Sequence, residues 1–285
     1  MKTLLEIVNL SADFLEKKGV KNGRREAIDL ISFSLDIRPL DLYVQFDRPL
    51  NEDELEKCRN LLKRRAVGEP MQYIRGKVEF FDCTLNVGHD VLIPRQETEI
   101  LVDSIATNLA KEDRADKLLV DMCCGSGCIG IALKRRFPEI KVVLSDLSSK
   151  ALVVARKNAE LNEVEVEFCE GDFLEPLKGR AAHYFVCNPP YVSEEEFSDL
   201  EIEVRSYEPR MALVAADHGL AFYKQLAKAL PQFLLPGGKM WLEIGSKQGE
   251  AVLDIFKDCA VKKMQLLQDW SGHDRFFFLE LEKLG

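Results

Sequence analysis

Leu118-Leu-Val-Asp121-Met-Cys123-Cys124-Gly125-Ser126-Gly127 runs from a short apolar stretch into a glycine-bearing turn, and the next residues, Cys128 to Phe137, carry helical spacing. The reading is strand, tight loop, helix. Glycines there permit positive φ and a close approach of ligand to backbone. The same alternation continues outward on the C-terminal side. Strands are predicted at Lys141–Ser145, Val164–Phe168, His183–Cys187, Lys239–Ile244 and Arg275–Leu281. Helices are predicted at Ser148–Leu161, with Ser148 as cap, at Leu220–Leu230 and at Gln248–Phe256. Strands that are apolar almost throughout and alternate with helices predict an α/β fold, a mostly parallel sheet covered by helices on both faces. In such sheets ligands bind outside the carboxyl ends of the strands.

Four of those ends carry chemistry. In the first, Asp121 has the character to accept a cationic amino group, while Gly125 and Gly127 leave room for a ligand across the loop; a plain tight turn would use the same glycines. Gly125-Ser-Gly127-Cys-Ile-Gly130 also satisfies the G-x-G-x-x-G dinucleotide fingerprint. Asp146 ends the second strand roughly twenty residues on, where an acid binds ribose hydroxyls. Because several cofactors share an adenosine, Asp146 does not decide between them. After the third strand, Asp172 suits an adenine amino group and Phe173 a base face, although Phe173 is equally suited to a core.

Asn188-Pro189-Pro190-Tyr191 follows the fourth strand and is more specific. An amide or exocyclic amine is a poor nucleophile because its lone pair is delocalised. The Asn188 side-chain oxygen and the Pro189 carbonyl can each accept one N–H of such a nitrogen. Those acceptors aim the lone pair and stabilise positive charge that grows on the nitrogen. Proline fixes φ and adds no competing donor, and Tyr191 offers a ring face to a developing cation. The motif points to methyl transfer onto nitrogen and away from hydride transfer.

Residues 1–75 read as a separate helical domain. Apolar residues recur at helical spacing in Ala27–Ser34 and Leu55–Leu62, and Asn51-Glu-Asp-Glu54 has the form of a helix start. Val78–Phe81 and Thr84–Val87 predict a β-hairpin linker within 76–93, turning at Asp82-Cys83 or at Gly88-His-Asp90. The catalytic domain is expected over 94–285. Within it, Ser193–Leu213, with Glu194-Glu-Glu196, has the character of an acidic flap. No apolar run approaches the roughly 18 residues of a membrane span, and the acid-studded start is unlike a signal peptide. Eight cysteines without paired metal spacing read as reduced thiols, and no metal is expected. The net charge is -9, yet residues 1–75 hold 14 Lys/Arg against 13 Asp/Glu. The acidic remainder is a poor match for a phosphate backbone.

These stretches resemble the HemK/PrmC family, protein-(glutamine-N5) methyltransferases acting on class-1 peptide-chain release factors. Further likeness lies in Gly68-Glu-Pro-Met-Gln-Tyr-Ile74, Leu92-Ile-Pro-Arg95-Gln-Glu-Thr98-Glu99, Tyr207-Glu-Pro209 with Ala212–Ala215, and Gly237-Gly238. The resemblance implies a class I methyltransferase with a Rossmann-like seven-stranded sheet, a helical substrate-recognition domain, and S-adenosylmethionine as methyl donor. Its site would comprise Asp121, Cys123, Cys124, Gly125, Ser126, Gly127, Asp146, Asp172, Phe173 and Asn188. The substrate would be the glutamine of a Gly-Gly-Gln loop, held by Asn188, Pro189, Pro190 and Tyr191, with Asn188, Pro189 and Tyr191 catalytic. A cytoplasmic monomer without stable nucleic acid or membrane partners is expected. Cys123-Cys124 stand where the family has Gly-Thr, so any need for positive φ at 123 would strain the loop. Arg95 is a candidate for a carboxylate or the substrate loop. Rival readings are methylation of ribosomal protein L3 glutamine, methylation of a nucleic-acid amine on a flipped base, and a non-catalytic binding protein.

Overall fold

The computed structural model describes residues 2–283; Met1, Leu284 and Gly285, at the outer ends of the expected first and last segments, lie outside the described residues. By contacts the chain divides into two units, Met1–Gly76 with Glu201–Tyr207, and Lys77–Leu200 with Glu208–Gly285. The first unit therefore takes in a segment that a linear division of the chain leaves in the catalytic part.

The first unit is helical. Its main helices are Leu4–Lys17, Gly23–Leu35 and Glu52–Ala66, with short ones at Pro39–Tyr43, Met71–Arg75 and Ile202–Tyr207. Thr3 and Asn51 each cap a helix in a reciprocal capping box, with Glu6 and Glu54, satisfying backbone donors that no turn precedes. Leu4, Val8, Ile28, Ile31, Leu42, Leu50 and Cys58 form one core cluster. Ala12, Leu15, Val20, Ala27, Leu30, Leu62 and Ile74 form another. Buried Arg65 bridges Glu26 (2.8 Å) and Glu203 (2.6 Å), and the Tyr207 hydroxyl donates to the Val67 carbonyl at 2.9 Å. Those bonds tie Glu201–Tyr207 into this unit.

The second unit begins with the hairpin, β1 (Lys77–Phe80) and β2 (Cys83–Asn86), antiparallel with Phe80 opposite Cys83. Its turn is Phe81-Asp82, one residue earlier than expected, and both have positive φ (43° and 63°) as a two-residue primed turn requires. The hairpin is held to the helix Ser149–Leu161 by Asn158, whose Oδ1 accepts from the Asn86 N–H at 2.7 Å, and by Asn162 on the Thr84 backbone.

The main sheet contains β3 (Leu118–Met122), β4 (Lys141–Asp146), β5 (Glu167–Glu170), β6 (Ala182–Cys187), β7 (Leu234–Glu243), β8 (Val261–Gln268) and β9 (Asp274–Leu281). Its order is β5-β4-β3-β6-β7-β9-β8, parallel from β5 to β7, with β9 antiparallel to both neighbours. This is the seven-stranded, mostly parallel sheet that the resemblance implied. The order reverses at the β3–β6 pair, the switch point where such sheets open a crevice.

Alternate residues of each strand serve two cores. Leu119, Val142, Leu144, Tyr184, Val186 and Trp241 pack against the helices Gln96–Leu109, Cys128–Arg136 and Ser149–Leu161. Val120, Val143, Phe185, Met240 and Leu242 pack against Ala221–Phe233 and Gly249–Phe256.

Two strand starts and two whole elements depart from the sequence reading. β5 starts after Val164 because Val164 ends the preceding helix: its N–H bonds the Ala159 carbonyl (3.0 Å) while Glu163, at φ 56°, bonds Glu160 (3.1 Å), a Schellman motif. β7 starts at Leu234, with a register shift against β6 that absorbs Pro236-Gly237-Gly238. The helix Gln96–Leu109 and strand β8 had no predicted counterpart.

Candidate active site

β3 delivers the loop. Met122 ends the strand, and Cys123 (φ 56°), Gly125 (54°) and Gly127 (79°) turn the chain into the helix Cys128–Arg136. Cys123 does sit in the left-handed region that its Cβ disfavours. At Gly127 a side chain would be strained by the positive φ and crowded, since a Cβ there would lie 2.8 Å from Ile131 Cδ1. Gly130 allows the helix onto the sheet: its Cβ would fall 2.3 Å from Leu144 Cδ2, and its N–H donates to Asp121 Oδ2 at 2.8 Å.

Asp121 is buried behind the loop, and its other oxygen, Oδ1, has no hydrogen-bond partner among the described residues. Burial pushes its carboxyl up to about 7; the Gly130 N–H opposes this and the Asp146 charge adds to it. Asp146, at the end of β4, is oriented by two backbone donors, Gly125 N to Oδ2 and Ser148 N to Oδ1, both at 2.8 Å. Burial raises its carboxyl too, against the pull of those N–H groups. Past β5, Phe173 meets Phe222 edge-on, with ring centroids 5.3 Å apart.

Asn188, at the end of β6, belongs to a chain of side chains from three elements. Its Nδ2 donates to Thr98 Oγ1 at 3.3 Å, and Thr98 Oγ1 donates to Glu243 Oε2 at 2.7 Å. The Tyr191 hydroxyl donates to Glu243 Oε1 at 3.2 Å. Thr98 lies in the first turn of Gln96–Leu109, and Glu243 is the last residue of β7. Glu243 is buried; that burial raises its carboxyl, while Thr98, Arg275 and Tyr191 pull it down and Glu97 adds to the rise. Burial also lifts the Tyr191 phenol. Asn188 Oδ1 accepts no hydrogen bond among the described residues.

A cavity of about 330 Å³ opens at these strand ends. Its walls include Cys123, Cys124, Gly125, Ser126, Asp146, Asp172, Phe173, Asn188 and Pro190. The structure thus brings nine of the expected residues to one cavity. Asp121, Gly127, Pro189 and Tyr191 lie outside the lining: Asp121 faces Gly130, and the Tyr191 hydroxyl faces Glu243. The sequence reading had assigned no role to Thr98, Phe222 or Met211, which line the cavity, or to Glu243 and Glu208. Arg95 also lines it and pairs with buried Glu208, whose Oε2 accepts from the Ile93 N–H at 3.0 Å. A volume in the range of small-molecule sites, a carboxylate held rigid at a strand end and an aromatic wall fit a group with the size and chemistry of S-adenosylmethionine. Among the described residues no cluster of His, Cys, Asp or Glu is arranged to hold a metal ion, and no helix is long and apolar enough to cross a membrane.

Comparison with known proteins adds ancestry to this geometry. The PrmC N-terminal domain family matches residues 6–76, and the Methyltransferase small domain family matches residues 96–204. A release factor glutamine methyltransferase of Chlamydia trachomatis is 40% identical over 275 residues, covering 96% of this chain and 93% of the relative. One from Geobacter sulfurreducens is 39% identical over 273 residues, covering 96% and 95%. Among solved structures, the 16S rRNA methyltransferase RsmC of T. thermophilus, in complex with AdoMet and guanosine, aligns with a TM-score of 0.52 at 17% identity, over 72% of this chain and 50% of its own. That last likeness is one of fold.

Proposed function

The chain belongs to the release factor glutamine methyltransferase family, and from that premise we propose that it moves the methyl group of S-adenosylmethionine onto the side-chain nitrogen of the glutamine in the Gly-Gly-Gln motif of class-1 peptide-chain release factors. The observation that carries the reading is Asn188, which stands in the cavity wall with its amide nitrogen engaged by Thr98 and its oxygen unengaged.

S-adenosylmethionine supplies an electrophilic methyl carbon on a sulfonium centre; the remaining work falls to the protein. In this reading Cys123–Gly127 would underlie the cofactor, Asp146 would hold its ribose hydroxyls, Asp172 its adenine amino group and Phe173 its base. Asp121 acts on the start of the following helix through Gly130. Asn188 Oδ1 and the Pro189 carbonyl accept the two N–H bonds of the substrate amide, turning its lone pair toward the methyl carbon. The same oxygens stabilise the positive charge that grows on nitrogen as the bond forms. No base has to act before attack, because the nitrogen sheds a proton only after it has been alkylated. Pro190 and Tyr191 complete the substrate side, with the Tyr191 ring fixed by its hydroxyl bond to Glu243.

The first unit, in this reading, recognises the body of the release factor. The enzyme works as a cytoplasmic monomer that uses neither stable nucleic acid nor membrane. The acidic balance of the chain outside residues 1–75 supports a protein substrate over nucleic acid.

The test is incubation with methyl-labelled S-adenosylmethionine and intact release factors, ribosomal protein L3 or nucleic acids, followed by mass spectrometry of the Gly-Gly-Gln peptide. One added methyl on that glutamine is expected. Label in L3 or nucleic acid with the release factor left bare would overturn the assignment.

A further inference from the structure

An asparagine amide presents oxygen on one side and NH₂ on the other, and its neighbours decide which faces where. For Asn188 the deciding chain starts two residues away in space, at Glu243. The two Glu243 carboxyl oxygens are the acceptors of both side-chain hydrogen bonds that reach them. The donors are two hydroxyls, Thr98 Oγ1 at 2.7 Å and Tyr191 Oη at 3.2 Å, so both spend their protons on Glu243. Thr98 Oγ1 is left with lone pairs only. A lone pair facing Asn188 draws its NH₂, and Nδ2 is indeed the atom 3.3 Å from Thr98. The Asn188 oxygen is thereby left for another donor.

We propose that Glu243, acting through the Thr98 hydroxyl, is the positioning residue that holds Asn188 with its carbonyl oxygen available to substrate and, through the Tyr191 hydroxyl, fixes the neighbouring ring. This rests on the reading that Asn188 Oδ1 accepts from the substrate amide. Glu243 lies outside the cavity lining, so its effect is conveyed by hydrogen-bond polarity rather than contact. If the proton order of the chain were reversed, with Thr98 donating toward Asn188, the asparagine would turn its oxygen to Thr98. Its NH₂ would then face the substrate NH₂, donor against donor. Thr98 and Glu243 are 145 residues apart in sequence and meet only because the helix Gln96–Leu109 packs at the end of β7.

The experiment uses the full-length protein with Thr98→Val, Thr98→Ser and Glu243→Gln. Valine keeps the shape of threonine and removes the acceptor; serine keeps the acceptor. Thr98→Val is expected to lower kcat on release factor by roughly 10- to 100-fold, the usual effect of losing an outer partner of a site residue. Its KM and its affinity for S-adenosylmethionine should stay near wild type, and Thr98→Ser should recover most of kcat. Independently of turnover, the Asn188 side-chain NH₂ resonances should be protected from solvent exchange in wild type and Thr98→Ser, and lose that protection in Thr98→Val. Glu243→Gln, which turns one arm of the carboxylate into a donor, should also shift those resonances; it serves as the second variant should valine at 98 unfold the chain. Wild-type kcat in Thr98→Val, equal loss in Thr98→Ser, or unchanged Asn188 resonances in Glu243→Gln would each overturn the inference. A wild-type protein inert toward release factor would instead overturn the functional reading, and the resonance comparison would still decide this one.

Discussion

Gly130 donates its backbone N–H to Asp121 Oδ2 at 2.8 Å, and that bond is the only one the buried Asp121 carboxyl makes among the described residues. One N–H is too little to stabilise a buried charge, and the carboxyl is raised to about 7. Unfolded, it titrates near 3.8. Between those pH values the native state holds a proton that the unfolded state has released, so stability falls as pH rises through the window. The full span is on the order of 4 kcal/mol. Asp121→Asn keeps an acceptor for Gly130 and cannot ionise. Thermal unfolding of the two proteins from pH 4 to pH 8 should show similar stability at the acid end and an advantage for the variant that grows toward pH 7 and then levels off. A difference that does not change with pH would refute the buried, singly bonded carboxyl.

Gly125 and Gly127 both have positive φ but differ in surroundings. A Cβ at Gly125 meets nothing within 4 Å, whereas at Gly127 it meets Ile131, Leu144 and Ala155. Gly127→Ala should lose about 2–4 kcal/mol of stability, the sum of left-handed strain and overpacking. Gly125→Ala should lose only about 1 kcal/mol, but its methyl enters the cavity wall and weakens S-adenosylmethionine binding. Denaturant melts and calorimetric titration separate the two; equal melts for both variants would contradict the packing described.

At Cys123 two effects of similar size oppose each other. Replacing it by glycine relieves about 1 kcal/mol of left-handed strain and adds about 0.5–1 kcal/mol of unfolded-state entropy. Cys123→Gly should therefore melt within a few degrees of wild type, and Cys123→Val, β-branched and worse in this region, clearly lower. A valine variant as stable as the glycine one would show that residue 123 does not hold φ near 56° in solution.

Asn188→Ala removes the proposed acceptor and should cut kcat by roughly 100-fold or more, a larger loss than its loss of S-adenosylmethionine affinity. Tyr191→Phe should be milder, since its hydroxyl bonds Glu243 and its position lies outside the cavity lining. Single-turnover methylation with titrated cofactor reads both. Intact turnover in Asn188→Ala would remove the basis of the mechanism.

Arg65 is a stability residue. Arg65→Ala leaves Glu26 and Glu203 without their shared cation; because both are partly exposed, the loss should fall at the low end for broken buried pairs, about 3 kcal/mol. Arg65→Lys keeps the charge but not the two-armed geometry, and should fall between. Equilibrium unfolding measures the ranking; an alanine variant melting like wild type would mean that the bridge is not formed.

Much of this was legible where function and local sequence coincide. Asp146 and Asn188 stand at strand ends, and a strand-loop-helix rhythm places strand ends without tertiary information. Asn51 announced a helix because a capping box is written in four consecutive residues. Thr98 and Glu243 were not legible, since their meaning lies in a hydrogen bond between residues far apart in the chain. Val164 was misassigned because an apolar residue closing a Schellman motif looks like the first residue of a strand. β8 escaped because Val261-Lys-Lys-Met264, exposed and charged, draws its conformation from pairing with β9 rather than from its own pattern. The place of Asp121 beside the loop is legible; its burial and its bond to Gly130 are not, because both depend on how the helix packs on the sheet.

Glu201–Tyr207 has a further consequence at the ribosome. The N-terminal helices leave the exit tunnel first, yet Arg65 meets Glu203 only after 138 more residues have been made. At elongation speeds of roughly 5–20 residues per second that is a wait on the order of ten seconds, during which Arg65 and the Val67 carbonyl must be tolerated without Glu203 and Tyr207. A nascent chain halted after Leu200 should accordingly be cut by protease within its first seventy residues, and one released past Tyr207 should resist.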